Sequence, residues 1–170
     1  MGDVGRINGV AMGLVVDRDD PVRQGRVRVR FPWLDEALLS DWVPIAVPMA
    51  GAGRGLFLMP EVGDEVLVAF EHGRFEHPVV IGFMWNGADK PPSSEPRERM
   101  FHSKNGHRIR FLDSTPASGD LGAVIIEDAH GNRITLSNGQ IAISAVAVVQ
   151  INAPTVLING RPVLPVPTPI

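Results

Sequence analysis

The feature that most constrains the fold is a C-terminal stretch that is almost free of charge. Between Ile134 and Ile170 the only charged residue is Arg161. Apolar residues fall on alternate positions there, which is the period of a β-strand rather than the 3.6-residue period of a helix. These positions are Ile141, Ile143, Ala145, Ala147, Val149, Ile151, Ala153 and Leu157, interrupted by Thr155. The stretch therefore predicts strands with one apolar face.

Strands of this kind have no interior of their own. The sequence offers no helical pattern to cover the apolar face, and bare strand edges template aggregation. An intertwined oligomer would pair the edges and bury the apolar faces on a shared axis, whereas regularly spaced Gly and Pro disfavour amyloid-like stacking. We therefore expect an obligate homo-oligomer with an intersubunit β-prism. The residues expected to pack on its axis are Ile141, Ile143, Val149, Ile151 and Leu157.

An internal repeat precedes this stretch. The segments "NGHRIRF" (105–111) and "HGNRITL" (130–136) share a Gly, an Arg-Ile pair and a large apolar residue at equivalent positions. Each segment predicts one turn followed by one alternating strand.

The N-terminal half carries short strand patterns between turn signals, which favours a small closed barrel of the OB type. In "DEVLVAF", for example, Val66, Val68 and Phe70 alternate with Glu65, Leu67 and Ala69. The predicted strands are Val10–Asp17, Gly25–Phe31, Trp42–Pro48, Glu65–Phe70 and Pro78–Met84. The whole chain is therefore predicted to be all-β.

Composition excludes several classes of function. The chain has no cysteine, so disulfides, thiol chemistry and Cys-ligated metals are excluded. Its N-terminus lacks the pattern of a signal peptide, and no apolar run reaches the ~20 residues of a membrane-spanning helix. The expected setting is therefore cytoplasmic synthesis and assembly.

Three arginines on alternate positions, Arg26, Arg28 and Arg30, form a comb that could bind nucleic acid. Residues 1–92 nevertheless carry a net charge of −4, and the chain has no Tyr and few aromatic residues for base stacking. We expect these three arginines to lie on the solvent-exposed or subunit-contacting face of a strand, with no nucleic-acid partner.

The remaining candidate sites favour neither catalysis nor metal binding. The five histidines lack a tight ligand spacing, although His102 and His107 could stack on an oligomer axis. Ser103 beside His102 or Asp113 offers no convincing nucleophile and base. Trp33, Trp42 and Trp85 are interpreted as barrel-core or collar-interface aromatics, with a carbohydrate platform as the alternative. No enzyme, cofactor or metal is expected.

Several of these segments together resemble the OB module of contractile-tail spikes, the family of phage baseplate assembly protein V and VgrG proteins. The resemblance rests on "GRVRVRFPW" at Gly25–Trp33, "WV" at Trp42–Val43, "PEVGDEV" at Pro60–Val66, "HPVVIG" at His77–Gly82 and the exit through Pro91-Pro92. It covers roughly residues 5–92, and the remainder is similar, more loosely, to the β-helix that follows the module. There is no hub domain, lysozyme insert or His-x-His tip motif in the sequence.

The resemblance implies a domain organisation and a set of partners. An OB-fold collar at 1–88 would be followed by a linker at 89–100, an intertwined trimeric β-helix or β-prism needle at 101–161 and a Pro-rich apolar tip at 162–170. A homotrimer would sit on a separate hub protein at its N-terminal side. A PAAR-repeat protein could dock at the tip on Val163, Leu164, Pro165, Val166, Pro167 and Ile170.

The function that follows is a structural, non-enzymatic spike of a contractile injection system or phage tail. The needle would pierce a target cell membrane on firing and carry a tip protein. The assembled chain would become part of a phage tail or injection particle. The alternative is an OB-fold module that binds nucleic acid or glycan and has a β-rich oligomerisation tail.

Overall fold

The computed structural model describes residues 6–7, 9–35, 37–114 and 121–163. The chain divides into two compact units, Met1–Pro91 and Pro92–Ile170. Within the described ranges the regular structure is β throughout, apart from a single 3-10 turn at Glu71–Gly73, so the all-β prediction is confirmed. No helix in these ranges is long and apolar enough to cross a membrane.

The first unit is built on a four-stranded antiparallel sheet. The six strands of this unit are β1 (Val10–Asp17), β2 (Arg28–Arg30), β3 (Ala50–Gly51), β4 (Arg54–Gly55), β5 (Glu65–Phe70) and β6 (Pro78–Met84). The sheet runs in the order β2-β1-β5-β6, and β3 and β4 form a separate small hairpin. Three of the five predicted strands, β1, β5 and β6, have the predicted bounds.

The segment around Val43 closes this sheet into a barrel. Val43 and Val27 exchange backbone hydrogen bonds of 2.7 and 3.0 Å, which joins the segment to the strand that contains β2. On its other side, Ile45 bridges Val80 of β6 in parallel. The predicted strand Trp42–Pro48 is therefore present only as isolated bridges, because Pro44 and Pro48 have no N–H to donate to a ladder.

The barrel core is filled by alternate residues of the strands. Val27, Val29 and Phe31 are completely buried, which confirms that the arginines between them lie on the other face of the strand. The remaining core residues are Val15, Val43, Val66, Val68, Phe70 and Val80. The ring of Phe31, the residue after β2, lies 5.7 Å from that of Phe70 in β5 and 5.5 Å from that of Phe75 in the turn that follows β5, so aromatic contacts join these segments.

The second unit is a five-stranded antiparallel meander. Its strands are β7 (Glu98–His102), β8 (Arg108–Leu112), β9 (Ala123–Glu127), β10 (Arg133–Ser137) and β11 (Gln140–Ser144), and a small hairpin follows, β12 (Leu157–Ile158) with β13 (Arg161–Pro162). Strand β7 begins inside the segment that composition predicts as linker. From Glu98 to Ser144 the strands pair within one chain, whereas the sequence favours intertwining throughout this part of the chain.

The two copies of the sequence repeat form matching turns. In the first turn, Ser103 N–H donates to His107 C=O at 2.9 Å, and His107 N–H donates to Ser103 Oγ at 3.0 Å. In the second turn, Asp128 N–H donates to Asn132 C=O at 3.0 Å, and Asn132 N–H donates to Asp128 Oδ1 at 2.9 Å. The repeat is thus a structural one, with a side-chain oxygen capping each turn.

Gly13 allows β1 to pass close to β2, and this contact gives a stability prediction. A Cβ at Gly13 would lie 2.3 Å from Cγ1 of Val29, a completely buried side chain that has little room to move. We expect Gly13→Ala to lower the free energy of unfolding by about 1–3 kcal/mol, the usual cost of overpacking a core.

The matched control is Gly82→Ala in β6, where an added Cβ meets no atom within 4 Å. Chemical denaturation of both variants measures the difference. Equal stability of the two variants would contradict the close packing of β1 on β2.

The candidate site is an uncovered apolar sheet face

One face of the five-stranded sheet carries two aligned rows of apolar side chains. The strand register places Phe101, Ile109, Ile126, Ile134 and Ile143 side by side across all five strands. The second row contains Phe111, Val124, Leu136 and Ile141, with Arg99 at its β7 end. We call these nine apolar residues the apolar sheet face.

This apolar face is the more exposed side of the sheet. Every residue of the first row is between 38% and 60% exposed, and Ile141 in the second row is 70% exposed. The alternate residues of the same strands, on the other side, are mostly half-buried, and Ile125 is buried. A soluble chain ordinarily hides such a surface, so this arrangement indicates a binding face.

The opposite face carries a cluster of ion pairs within the chain. Arg110 contacts Glu98 at 3.0 Å and Glu127 at 3.3 Å, and Arg108 forms a second ion pair with Glu127. Hydrogen bonding from Ser93, together with the contact to Arg110, lowers the pKa of Glu98 and keeps its carboxylate charged. Ion pairs therefore join the central charges of this face, although Nε of Arg108 and Nε of Arg110 are buried without a hydrogen-bond partner.

The five predicted axis residues are only partly brought together. Ile141 and Ile143 lie on the apolar sheet face, and Val149 lines the same shallow groove as Ile143. Ile151 and Leu157 lie further along the chain and are 66% and 59% exposed. Their packing on an axis stays a prediction.

Seven residues of the face were missed by reasoning from the sequence. They lie on β7 to β10, and the signal that could have found them is the alternation in the repeat, where Ile109 and Phe111 match Ile134 and Leu136. If the alternation that places Ile141 and Ile143 on one face had been extended back through the repeat, Ile109, Phe111, Ile134 and Leu136 would have been predicted on the same face.

The predicted tip-docking residues lie almost wholly outside the described residues. Val163 is described and is 50% exposed, and its N–H donates to the carbonyl of Val156 at 2.8 Å. The others, Leu164, Pro165, Val166, Pro167 and Ile170, fall beyond the described range.

Two of the three comb arginines are held by the barrel. Arg26 donates to both carboxylate oxygens of Asp20, from Nη2 at 2.8 Å and from Nε at 3.0 Å. This contact lowers the pKa of Asp20 far below its usual range, and backbone N–H donors such as that of Gln24 act in the same direction. Arg28 donates from Nε to the carbonyl of Ser40 at 3.2 Å. Because Arg26 and Arg28 are held by these contacts, the geometry disfavours binding of a nucleic acid by the three arginines together.

The histidines and tryptophans do not form a second site. No group of three His, Asp or Glu side chains converges in the described ranges as metal ligands would. Hydrogen bonding from Asn132 lowers the pKa of Asp128 to about 2. This carboxylate caps the second repeat turn. Trp33 and Trp85 are 49% and 68% exposed and are not barrel core.

Comparison with known proteins identifies the first unit. The family described as "Type VI secretion system/phage-baseplate injector OB domain" matches residues 11–85. This range contains β2 to β6, all of β1 except Val10, and the bridging segment that closes the barrel. The OB-fold prediction is therefore confirmed.

Several similar proteins are spike proteins of secretion systems. The chain is 28% identical over 116 residues to the type VI secretion system spike protein VgrG2a of Pseudomonas aeruginosa, a match that covers 63% of this chain and 14% of that protein. It is 40% identical over 114 residues to VgrG4b of the same organism, covering 64% of this chain and 13% of the relative. For the spike protein VgrG3 of Vibrio cholerae the identity is 34% over 76 residues, covering 42% and 8%. The chain thus spans only a small part of each relative's length, and its residues 11–85 carry the OB domain that the VgrG-like, baseplate-V family shares.

Proposed function

We propose that this chain is the needle of a contractile injection system or phage tail, with the OB barrel as its collar and the second unit as its shaft. The observation that carries the proposal is the apolar sheet face, nine apolar side chains on a charge-paired sheet. In this role the chain acts mechanically and catalyses no reaction.

Three copies would cover the apolar sheet face by packing their sheets around one axis. Each fully buried Ile, Leu, Val or Phe side chain contributes about 1.5–3 kcal/mol relative to its exposed state. The charge-paired side, with Arg110 and Glu127, would then face water. The number three rests on the resemblance to trimeric spikes, and a two-sheet sandwich is the alternative that a mass measurement separates.

Intertwining of chains would be confined to the part that follows Ser144. Strand pairing of residues 145–163 with their own chain is limited to β12 with β13. Extended backbone that enters an interior needs partners for its N–H and C=O groups. Neighbouring copies would supply those partners, so that thrust along the shaft is opposed by many hydrogen bonds at once.

The proposed partners follow from the two ends of such a spike. A hub protein would hold the collar at the N-terminal side, and a PAAR-repeat tip protein would dock on Val163 and the apolar residues beyond it. On firing, the shaft would pierce the membrane of a target cell. The chain would assemble in the cytoplasm and then belong to a phage tail or injection particle.

The first test of this proposal is the mass of the chain in solution. Light scattering should give three times the chain mass of 18.4 kDa, and the value should persist on dilution because the apolar face has no other cover. A stable monomer would contradict the needle, and a dimer would favour the sandwich.

The second test places a charge on the apolar sheet face. We expect Ile143→Asp to abolish trimer formation, because each copy would bring an unpaired carboxylate into the apolar interior at a cost of several kcal/mol. The control is Ser144→Asp, the next residue of β11, which lies on the opposite face across from Arg133.

Light scattering and thermal melting of both variants measure the difference. The control should stay trimeric. A trimer of Ile143→Asp that melts like the unsubstituted chain would show that this face is not the interior.

A further inference from the structure

The barrel carries an exposed apolar surface with positive charge beside the β3–β4 hairpin. We call it the loop patch, and its principal residues are Arg23, Met49, Arg54, Leu56, Phe57 and Leu58. The Phe57 side chain is 78% exposed, although Met59, two residues further on, packs against the barrel core. No acidic residue lines this patch.

A second exposed apolar surface of the barrel carries negative charge at the end of β6. We call it the strand-end patch, and its principal residues are Asp64, Glu65, Phe83, Met84, Trp85 and Asp89. Asn86 holds two of its carboxylates, donating from Nδ2 to Glu65 Oε2 at 2.9 Å and to Asp89 Oδ2 at 3.4 Å. Lys90 also lines the patch, so three carboxylates stand against one ammonium group.

We propose that the loop patch of one copy packs against the strand-end patch of the next copy, which closes the collar into a ring. The inference rests on the proposed trimer. A contact between two different patches is head-to-tail, and a head-to-tail contact closes when its rotation matches the symmetry of the ring. Three copies around one axis would use both patches of every barrel.

Charge selects this arrangement over a contact of like patches. Two loop patches facing each other would bring Arg23 and Arg54 against their own copies, and two strand-end patches would oppose carboxylates. Facing the loop patch to the strand-end patch sets Arg54 against Glu65 and Asp89 instead. The apolar centres would then meet with Phe57 and Trp85, aromatic residues of the kind that dominate interface energies.

This role also accounts for Trp85. The sequence favours barrel core or collar interface for the tryptophans, and Trp85 is 68% exposed in the single chain. An aromatic ring left open beside three carboxylates is better explained by a protein partner than by solvent.

The absence of cysteine from the sequence allows a direct cross-linking test on the full chain. We expect the double variant Phe57→Cys and Trp85→Cys, treated with a short bismaleimide, to give covalent trimers as the main product on a denaturing gel. The matched control is Leu34→Cys with Trp85→Cys, because Leu34 is 49% exposed and lies outside both patches. This control should give little product beyond the single chain.

Charge reversal tests the pairing within the same cross-linking assay. Arg54→Glu in the double-cysteine background should remove most of the covalent product, and adding Asp89→Arg should restore it. The light-scattering mass should stay trimeric throughout, because the second unit holds the copies together.

The outcomes separate this inference from the proposed function. A trimeric mass with no more cross-linking than the Leu34 control overturns the collar contact and leaves the needle intact. A monomeric mass overturns both. Covalent trimers that respond to the charge pair support both.

Discussion

Five antiparallel strands of the second unit turn nine apolar side chains to one side, and most of them remain exposed in the single chain. The polar side of the same sheet is the better covered one, with Arg110 between Glu98 and Glu127. Exposing the apolar side costs free energy that only another apolar surface can recover. The proposed shaft, collar ring and mechanical role all depend on this constraint.

The two units solve the problem of strand edges in different ways. The barrel closes on itself, because Val43 pairs with Val27 and Ile45 bridges Val80, so its core is complete within one chain. The second unit is an open sheet with β11 at one edge, and residues 145–156, which follow β11, form no strand. Strand β7 at the other edge carries Glu98 and Arg99, the kind of charge that guards an edge, whereas β11 carries none. A barrel with its own core followed by an open sheet with an exposed apolar face is the arrangement that the proposed collar and shaft require.

Reasoning from the sequence placed β5 correctly because its residues alternate strictly, with Val66, Val68 and Phe70 buried. The bounds of β1 and β6 were also predicted, although these strands carry apolar residues on both faces and were placed by the turn signals around them. The same reasoning overestimated Trp42–Pro48, where prolines break the ladder. It also missed most of the apolar sheet face, because "AVIIE" in β9 is apolar on both sides: Ile126 lies on the exposed face and Ile125 is buried on the other. Local pattern cannot tell which of two neighbouring isoleucines faces a partner, since the register of four other strands decides it. The Arg26–Asp20 contact was likewise not predictable, because Asp17, Asp19 and Asp20 all precede Arg26 by fewer than ten residues and the sequence does not say which of them it binds.

The central claim is that the apolar sheet face is covered in solution, and thiol labelling of the otherwise cysteine-free chain measures this directly. Ile143→Cys and Ser144→Cys are neighbours on β11 that point to opposite faces, and both positions are exposed in the single chain. Under native conditions we predict slow maleimide labelling at position 143 and fast labelling at position 144, with the two rates becoming equal on denaturation. Equally fast labelling at both positions in the native protein would contradict the account.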